Sequence, residues 1–349
     1  MIIYSKGSGY NEAAIGRYDN PIKMLIESES DLAKKKGGAR DWLFNVEKSN
    51  HYGESITIQR GFDTFECVEE GEGAKKDFVC ETGSTFIEHL QFMKEFTITA
   101  EMLEDANIGI AADAKRRVQN FVRSYYNTIN RACTAALTTA TGEEVSFNGG
   151  YFNAFTPDGV PLFSSDHFWG TAEKRGTQCN YFKGDFTKKD GVYSISKLED
   201  YIYQLSAVIR NMKDENGIPT GYVADTLVLP GNRPILEQMV KKICGSENVA
   251  GSMVNDVNLH YDNWNIVILP TWTSEYDEML VMSSEANKAL AGNLFFERVP
   301  LTVTSWVDNH TGNYNWTGRC RFGIGFGSYK HILKVTESPI CTGTYEDLF

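Results

Sequence analysis

The sequence lacks most of the features that would commit a chain to a known chemistry. Its seven cysteines, Cys67, Cys80, Cys133, Cys179, Cys244, Cys320 and Cys341, are odd in number and scattered over 349 residues, with no Cys-x-x-Cys pair. That argues against a zinc site and against a disulfide framework, and the residues read as free thiols. None of the six histidines falls in a His-x-x-x-His spacing, so no metal centre is expected. No apolar run approaches the roughly 18 residues a membrane helix needs. The opening "MIIYSKGSGYNEAAIGRYDN" has no basic region leading into an apolar run, which predicts a cytoplasmic chain without a secretory signal. Positive charge is also short: 34 Lys and Arg stand against 46 Asp and Glu, a formal net charge of -12. That balance opposes a surface-wide grip on nucleic acid or on an anionic membrane. Internal repeats and low-complexity tails are absent.

What is present is an unusual order of elements in a chain with 42% hydrophobic residues, enough for a large core. Residues 1–50 read as an arm with little core of its own, broken by Gly37-Gly38. In 54–98, "ESITIQRGFDTFECVEE" and "DFVCETGSTFIEHLQFMKEFTIT" read as the two strands of a long hairpin around the polar tip "GEGAKK". Such a hairpin is barely stable alone and needs a surface to lie on. Residues 99–140 read as a helix capped by Thr99, with an apolar stripe through Val118, Phe121, Val122, Tyr125, Ile129 and Leu137. From 111 to 137 it runs about 40 Å at 1.5 Å per residue. Residues 143–192 read as a long irregular region. A compact α/β block follows: helix 194–217, buried strand 224–231, helix 232–245, then strands 263–272 and 277–284. The end is β, with long strands 294–308 and 319–335 paired through a turn-rich loop.

Three stretches invite a chemical reading. "GVPLFSSDHFWG" (159–170) sets Ser164, Ser165, Asp166 and His167 side by side. Neighbouring residues cannot converge into a relay, and the stretch lacks the Gly-x-Ser-x-Gly elbow. The expectation is a polar loop in which Asp166 caps backbone N–H groups and His167 makes structural hydrogen bonds. A hydrolase using His167 with a distant acid stays as an alternative. "GIGFG" (323–327) alternates with Phe322, Ile324 and Phe326 inside a strand, so its glycines predict close approach of another backbone, not phosphate binding. "KDENG" (213–217) reads as a turn, not a calcium loop. Lys115, Arg116, Arg123 and Arg131 on the long helix are candidates for local contacts with DNA phosphates, against the plainer reading of a solvated face.

The element order resembles the major capsid proteins of tailed bacteriophages, with an HK97-like α+β fold. "FMKEFTITAEMLEDANIG", "PLFSSDHFWGTAEKRGTQCN", "ADTLVLPGNRPILEQMV", "YDNWNIVILPTWTSEYDEMLVMS" and "RCRFGIGFGSYKHI" are similar to the Mu-type major head subunit branch, over roughly residues 50–336. Phe168-Trp169 depart from its pattern, where small or polar residues are expected. A long N-terminal scaffolding segment is not evident, so scaffolding is expected to be separate or absent. The resemblance implies an N-arm (1–50), an extended loop (51–98), a peripheral domain with a spine helix (99–190 and 294–349) and an axial domain (191–293). It implies a non-enzymatic subunit without cofactor or metal that self-assembles into hexamers and pentamers around double-stranded DNA. Sequence-specific DNA binding and membrane contact are not expected. Glu70, Glu72, Lys75 and Lys76 at the hairpin tip would contact neighbouring subunits, and portal, scaffolding or decoration proteins would be further partners. The chain would reside in the virion, and in the host cytoplasm during assembly. An encapsulin-like compartment shares the expected fold and stays open as an alternative.

Overall fold

The computed structural model describes residues 3–6, 12–74, 76–104, 108–170, 175–184, 186, 193–247 and 257–338. In chain order the elements are β1 (Ile3–Lys6), α1 (Glu12–Lys36), α2 (Ala39–Leu43), β2 (Asn45–Lys48), β3 (Gly53–Arg60), β4 (Cys80–Glu88), β5 (Leu90–Ile98), α3 (Ala100–Glu104) and α4 (Ile108–Thr139). Then come β6 (Glu144–Phe147), β7 (Gly150–Asn153), β8 (His167–Gly170), β9 (Arg175–Gln178), β10 (Tyr181–Lys183), α5 (Ile195–Asn211), β11 (Thr226–Pro230), α6 (Pro234–Cys244), β12 (Asn265–Leu269) and β13 (Glu278–Met282). The last described elements are α7 (Ser284–Ala289), β14 (Asn293–Val307), β15 (Tyr314–Phe326) and β16 (Ile332–Thr336).

Two sheets organise the chain. The first runs β1-β14-β15-β5, with β2 also pairing in parallel with β14. Its apolar face carries stacked aromatics, with Phe92 on Phe322 at 4.9 Å and Phe96 on Trp316 at 5.2 Å between centroids. α4 lies against this sheet because its stripe is apolar at helical spacing: Val118, Phe121, Val122 and Ile129 are buried. The second sheet is mixed, in the order β10-β16-β13-β11-β12, and α5 and α6 bury Leu198, Ile202, Leu205, Leu236 and Val240 in the same core. Strands β11, β13 and β16 are buried at every residue, as expected of central strands covered by helices.

Several expectations need correction. The arm does contribute core. Ile26 is fully buried against α4, Ser30 hydrogen-bonds Tyr126 at 2.5 Å, and Leu43 and Phe44 join the main cluster. The returning limb of the hairpin is two strands, not one. At buried His89 the chain leaves β3 and joins β15, because Phe92 and Phe96 belong to the aromatic layer of the large sheet. The 99–140 stretch is helical as expected over Ala100–Glu104 and Ile108–Thr139, with 105–107 outside the described residues, and Thr99 Oγ1 accepts the Met102 N–H at 3.3 Å. The stretch expected to be irregular contains β6–β7, β8–β9 and β10. The last strand also divides: β15 ends at Phe326, and after Ser328–His331 β16 enters the second sheet.

The glycines of "GIGFG" behave as expected. A Cβ on Gly323 would lie 2.9 Å from the Glu88 carbonyl oxygen and one on Gly327 2.3 Å from the Ala291 carbonyl oxygen, whereas at Gly325 the close neighbour is a side chain, Ile87 Cδ1 at 2.2 Å. Only bare backbone lets the end of β4 cross this closely over β15.

Candidate functional site

Among the described residues no catalytic constellation forms around 159–170. His167 is fully buried, and its ring stacks on Tyr329 with centroids 3.8 Å apart and planes 8° apart. Its Nδ1 lies 2.8 Å from Asp158 Oδ2, and its Nε2 lies 3.1 Å from the Leu162 carbonyl. The second nitrogen, which would take a nucleophile's proton, is therefore committed to a backbone oxygen. Burial alone would push the Asp158 carboxyl up. The His167 hydrogen bond and charge, with donors from Thr156 and the Val160 N–H, outweigh it and hold the group below its ordinary value. Asp166 does not cap as expected: it is exposed, its carboxylate accepts from Ser165, and its own N–H donates to Ser164 Oγ at 3.2 Å.

What this buried pair does is hold a turn. Thr156 N–H donates to the Val160 carbonyl at 2.9 Å, and Gly159, at φ 81°, closes the turn around Asp158. The outer side of the turn meets strand β4. Thr85 Oγ1 donates to the Phe155 carbonyl at 3.1 Å, and Asn153 Nδ2 donates to the Phe86 carbonyl at 3.1 Å. A Cβ on Gly83 would sit 2.0 Å from the Pro157 carbonyl oxygen. Gly83→Ala is expected to lift β4 from this turn and to cost about 1–3 kcal/mol, read in chemical denaturation of the unassembled subunit. Unchanged stability would mean that the turn does not bear the hairpin.

Beyond this support the hairpin leaves the body. Between β3 and β4 every described residue of 61–79 is exposed. Phe62 is 69% exposed, Phe78 is 72% exposed, and Phe65 is fully exposed. Isolated apolar side chains on a surface are ordinary, but here three phenylalanines are exposed along a single excursion. Glu70, Glu72 and Lys76 are exposed at the tip; Lys75 lies outside the described residues.

Lys115, Arg116, Arg123 and Arg131 are all exposed on α4. Arg116 pairs with Asp113 at 3.5 Å, and Arg123 reaches Glu29 of α1 at 4.0 Å. The four span about 24 Å of helix and about 160° of its circumference, so they form a thin ribbon and not a cluster. Among the described residues no three His, Cys, Asp or Glu side chains gather as metal ligands, and no helix is long and apolar enough to cross a membrane.

No family model matches the sequence, and no curated protein matches it. Solved structures do match the fold. The capsid of Myoviridae phage XM1 aligns with TM-score 0.54 and 12% identity over 86% of this chain and 92% of that chain. The capsid of cyanophage P-SCSP1u aligns at 0.52 and 10% over 84% and 86%. Microbacterium phage Oxtober96 aligns at 0.51 and 9% over 86% and 90%. The chain has the HK97-like α+β capsid fold. Of the residues expected at the tip, Glu70, Glu72 and Lys76 fall on the exposed excursion, and the four basic residues fall on α4. The Asp158 partner of His167 escaped sequence reading; the Pro157-Asp158-Gly159 turn signal was its one trace.

Proposed function

We propose that this chain is the major capsid protein of a tailed bacteriophage, nearest the Mu-type branch. It builds hexamers and pentamers of an icosahedral shell around double-stranded DNA. The observation that supports this reading is the correspondence of fold over 84–86% of this chain and 86–92% of three phage structures. The role is structural, and the engagement of both His167 nitrogens argues against a hydrolase built on that residue. We assign residues 1–50 as N-arm, 51–98 as extended loop, 99–190 and 294–349 as peripheral domain and 191–293 as axial domain. Loop 61–79, with Glu70, Glu72, Lys75 and Lys76 at its tip, contacts the adjacent subunit. The protein resides in the virion, after assembly in the host cytoplasm with portal, scaffolding or decoration proteins.

Lys115, Arg116, Arg123 and Arg131 form the DNA-facing ribbon. A net charge of -12 and so few basic residues predict no sequence preference and weak, salt-sensitive binding, with a log–log salt slope of about -0.9 per phosphate contact. Titrating labelled duplex into the unassembled subunit at two salt concentrations checks this; submicromolar binding that survives high salt would contradict it. The function itself is tested on shells from infected cells. Nuclease-protected double-stranded DNA inside them supports a phage head, whereas shells filled with a cargo protein would make the chain a compartment protein.

A further inference from the structure

We propose that the turn Asp214–Gly217, seated on Trp169, is a clip that fixes the direction in which loop 61–79 leaves the body, and that this direction sets whether copies close into regular shells. The second half rests on the capsid reading; the first does not.

The clip is Asn216. Its Oδ1 accepts from Arg60 Nε at 2.7 Å, and its Nδ2 donates to the Gly61 carbonyl at 3.2 Å and to the Phe62 carbonyl at 3.1 Å. These three bonds grip the point where β3 ends and the exposed excursion begins. The returning limb is tied in through Asp77. Its carboxylate accepts the Asp63 N–H at 2.8 Å and the Phe78 N–H at 2.8 Å, and it lies 3.4 Å from the Arg60 guanidinium. Both limbs are thus joined at a neck, and the neck is held by one side chain of the axial lobe.

The turn is itself rigidly mounted. Asp214 Oδ1 accepts from the N–H groups of Asn216 and Ile218 at 2.9 and 2.8 Å, and the Asp214 N–H donates to the Ile218 carbonyl. Gln178 of β9 exchanges two hydrogen bonds with Lys213, at 2.6 and 3.1 Å. Trp169 of β8 lies beneath: a Cβ on Gly217 would come within 2.7 Å of its ring, and Lys213 Nζ sits 4.8 Å from a ring centroid. Gly217 has φ 83°, so a glycine serves both the turn and the close approach. The aromatic pair after His167, out of place in the capsid-like pattern, here has a job: Trp169 is the floor on which the clip rests.

A loop that buries nothing itself is oriented by its neck, so loss of these bonds frees its direction without unfolding the body. The test compares the wild-type chain with Asn216→Ala, which removes all three bonds, and Asn216→Asp, which keeps the acceptor for Arg60 and loses both donors. Donor and acceptor dyes on genetically encoded residues at positions 70 and 200 report loop direction by single-molecule energy transfer in the unassembled subunit. The expected wild-type distribution is narrow, that of Asn216→Asp broader and that of Asn216→Ala broadest, with helix content unchanged. The yield of closed shells should fall about tenfold for Asn216→Ala and less for Asn216→Asp. Equal distributions in all three chains would overturn the clip. Broad distributions with wild-type shell yield would overturn its link to closure. A wild-type chain that forms no shells would defeat the capsid reading, while the energy-transfer result would still decide the clip.

Discussion

Replacing residues 64–76 with a short Gly-Ser bridge, keeping Asp63 and Asp77, is expected to leave a folded subunit and to abolish regular shells. The excursion is exposed at every described residue, so its removal opens no cavity and strands no buried polar group. Helix content and the midpoint of denaturation should stay near those of the full chain. Assembly should nevertheless fail or give irregular particles, because Phe65 and the charged tip leave with the segment. The loss is one of binding energy between copies, which ordinarily rests on a few apolar anchors. Sedimentation of the shortened chain under assembly conditions decides the matter: slow species only are expected, and wild-type shells would show that the excursion is dispensable.

The second large effect separates two adjacent residues. His167→Ala is expected to cost about 3–5 kcal/mol, because it leaves Asp158 as a buried carboxylate without its partner. It also removes the ring from Tyr329, leaving a void beside it. Asp166→Ala should change stability by no more than about 0.5 kcal/mol, since that carboxylate is exposed and bonds only a neighbouring hydroxyl. Denaturation of the two variants checks the contrast, and comparable effects would refute the structural role of the Asp158–His167 pair. A pH dependence follows with a definite sign. The Asp158 carboxyl is held below its ordinary 3.8 in the folded chain, so its stabilisation is present above that value and lost as pH falls through the folded one.

Much of the architecture was legible from local patterns. The long helix α4 announces itself because one face must be apolar at 3.6-residue spacing, and Val118, Phe121, Val122 and Ile129 are on that face. The strand–helix alternation of 224–284 is equally plain, since its central strands carry short apolar runs and Pro234 marks a helix start. The failures share one cause: they depend on partners distant in sequence. Nothing local says that the chain turns at His89 from pairing β3 to pairing β15, or that Ser328–His331 carries it from one sheet to the other. The helix of the arm is charged on its outer side and buries Ile26 and Ser30 only because α4 is there to receive them. Asp158 stands nine residues before His167 and looks like any turn aspartate until the fold joins them. Asn216 likewise reads as turn chemistry, and its grip on Arg60, Gly61 and Phe62 spans more than 150 residues.

The most direct measurement is electron cryomicroscopy of the purified full-length chain under assembly conditions, with any co-expressed assembly partner. The account predicts closed icosahedral shells of pentamers and hexamers, in which density for residues 61–79 lies against a neighbouring copy. Discrete small particles under every condition, or shells in which that loop touches no neighbour, would contradict it.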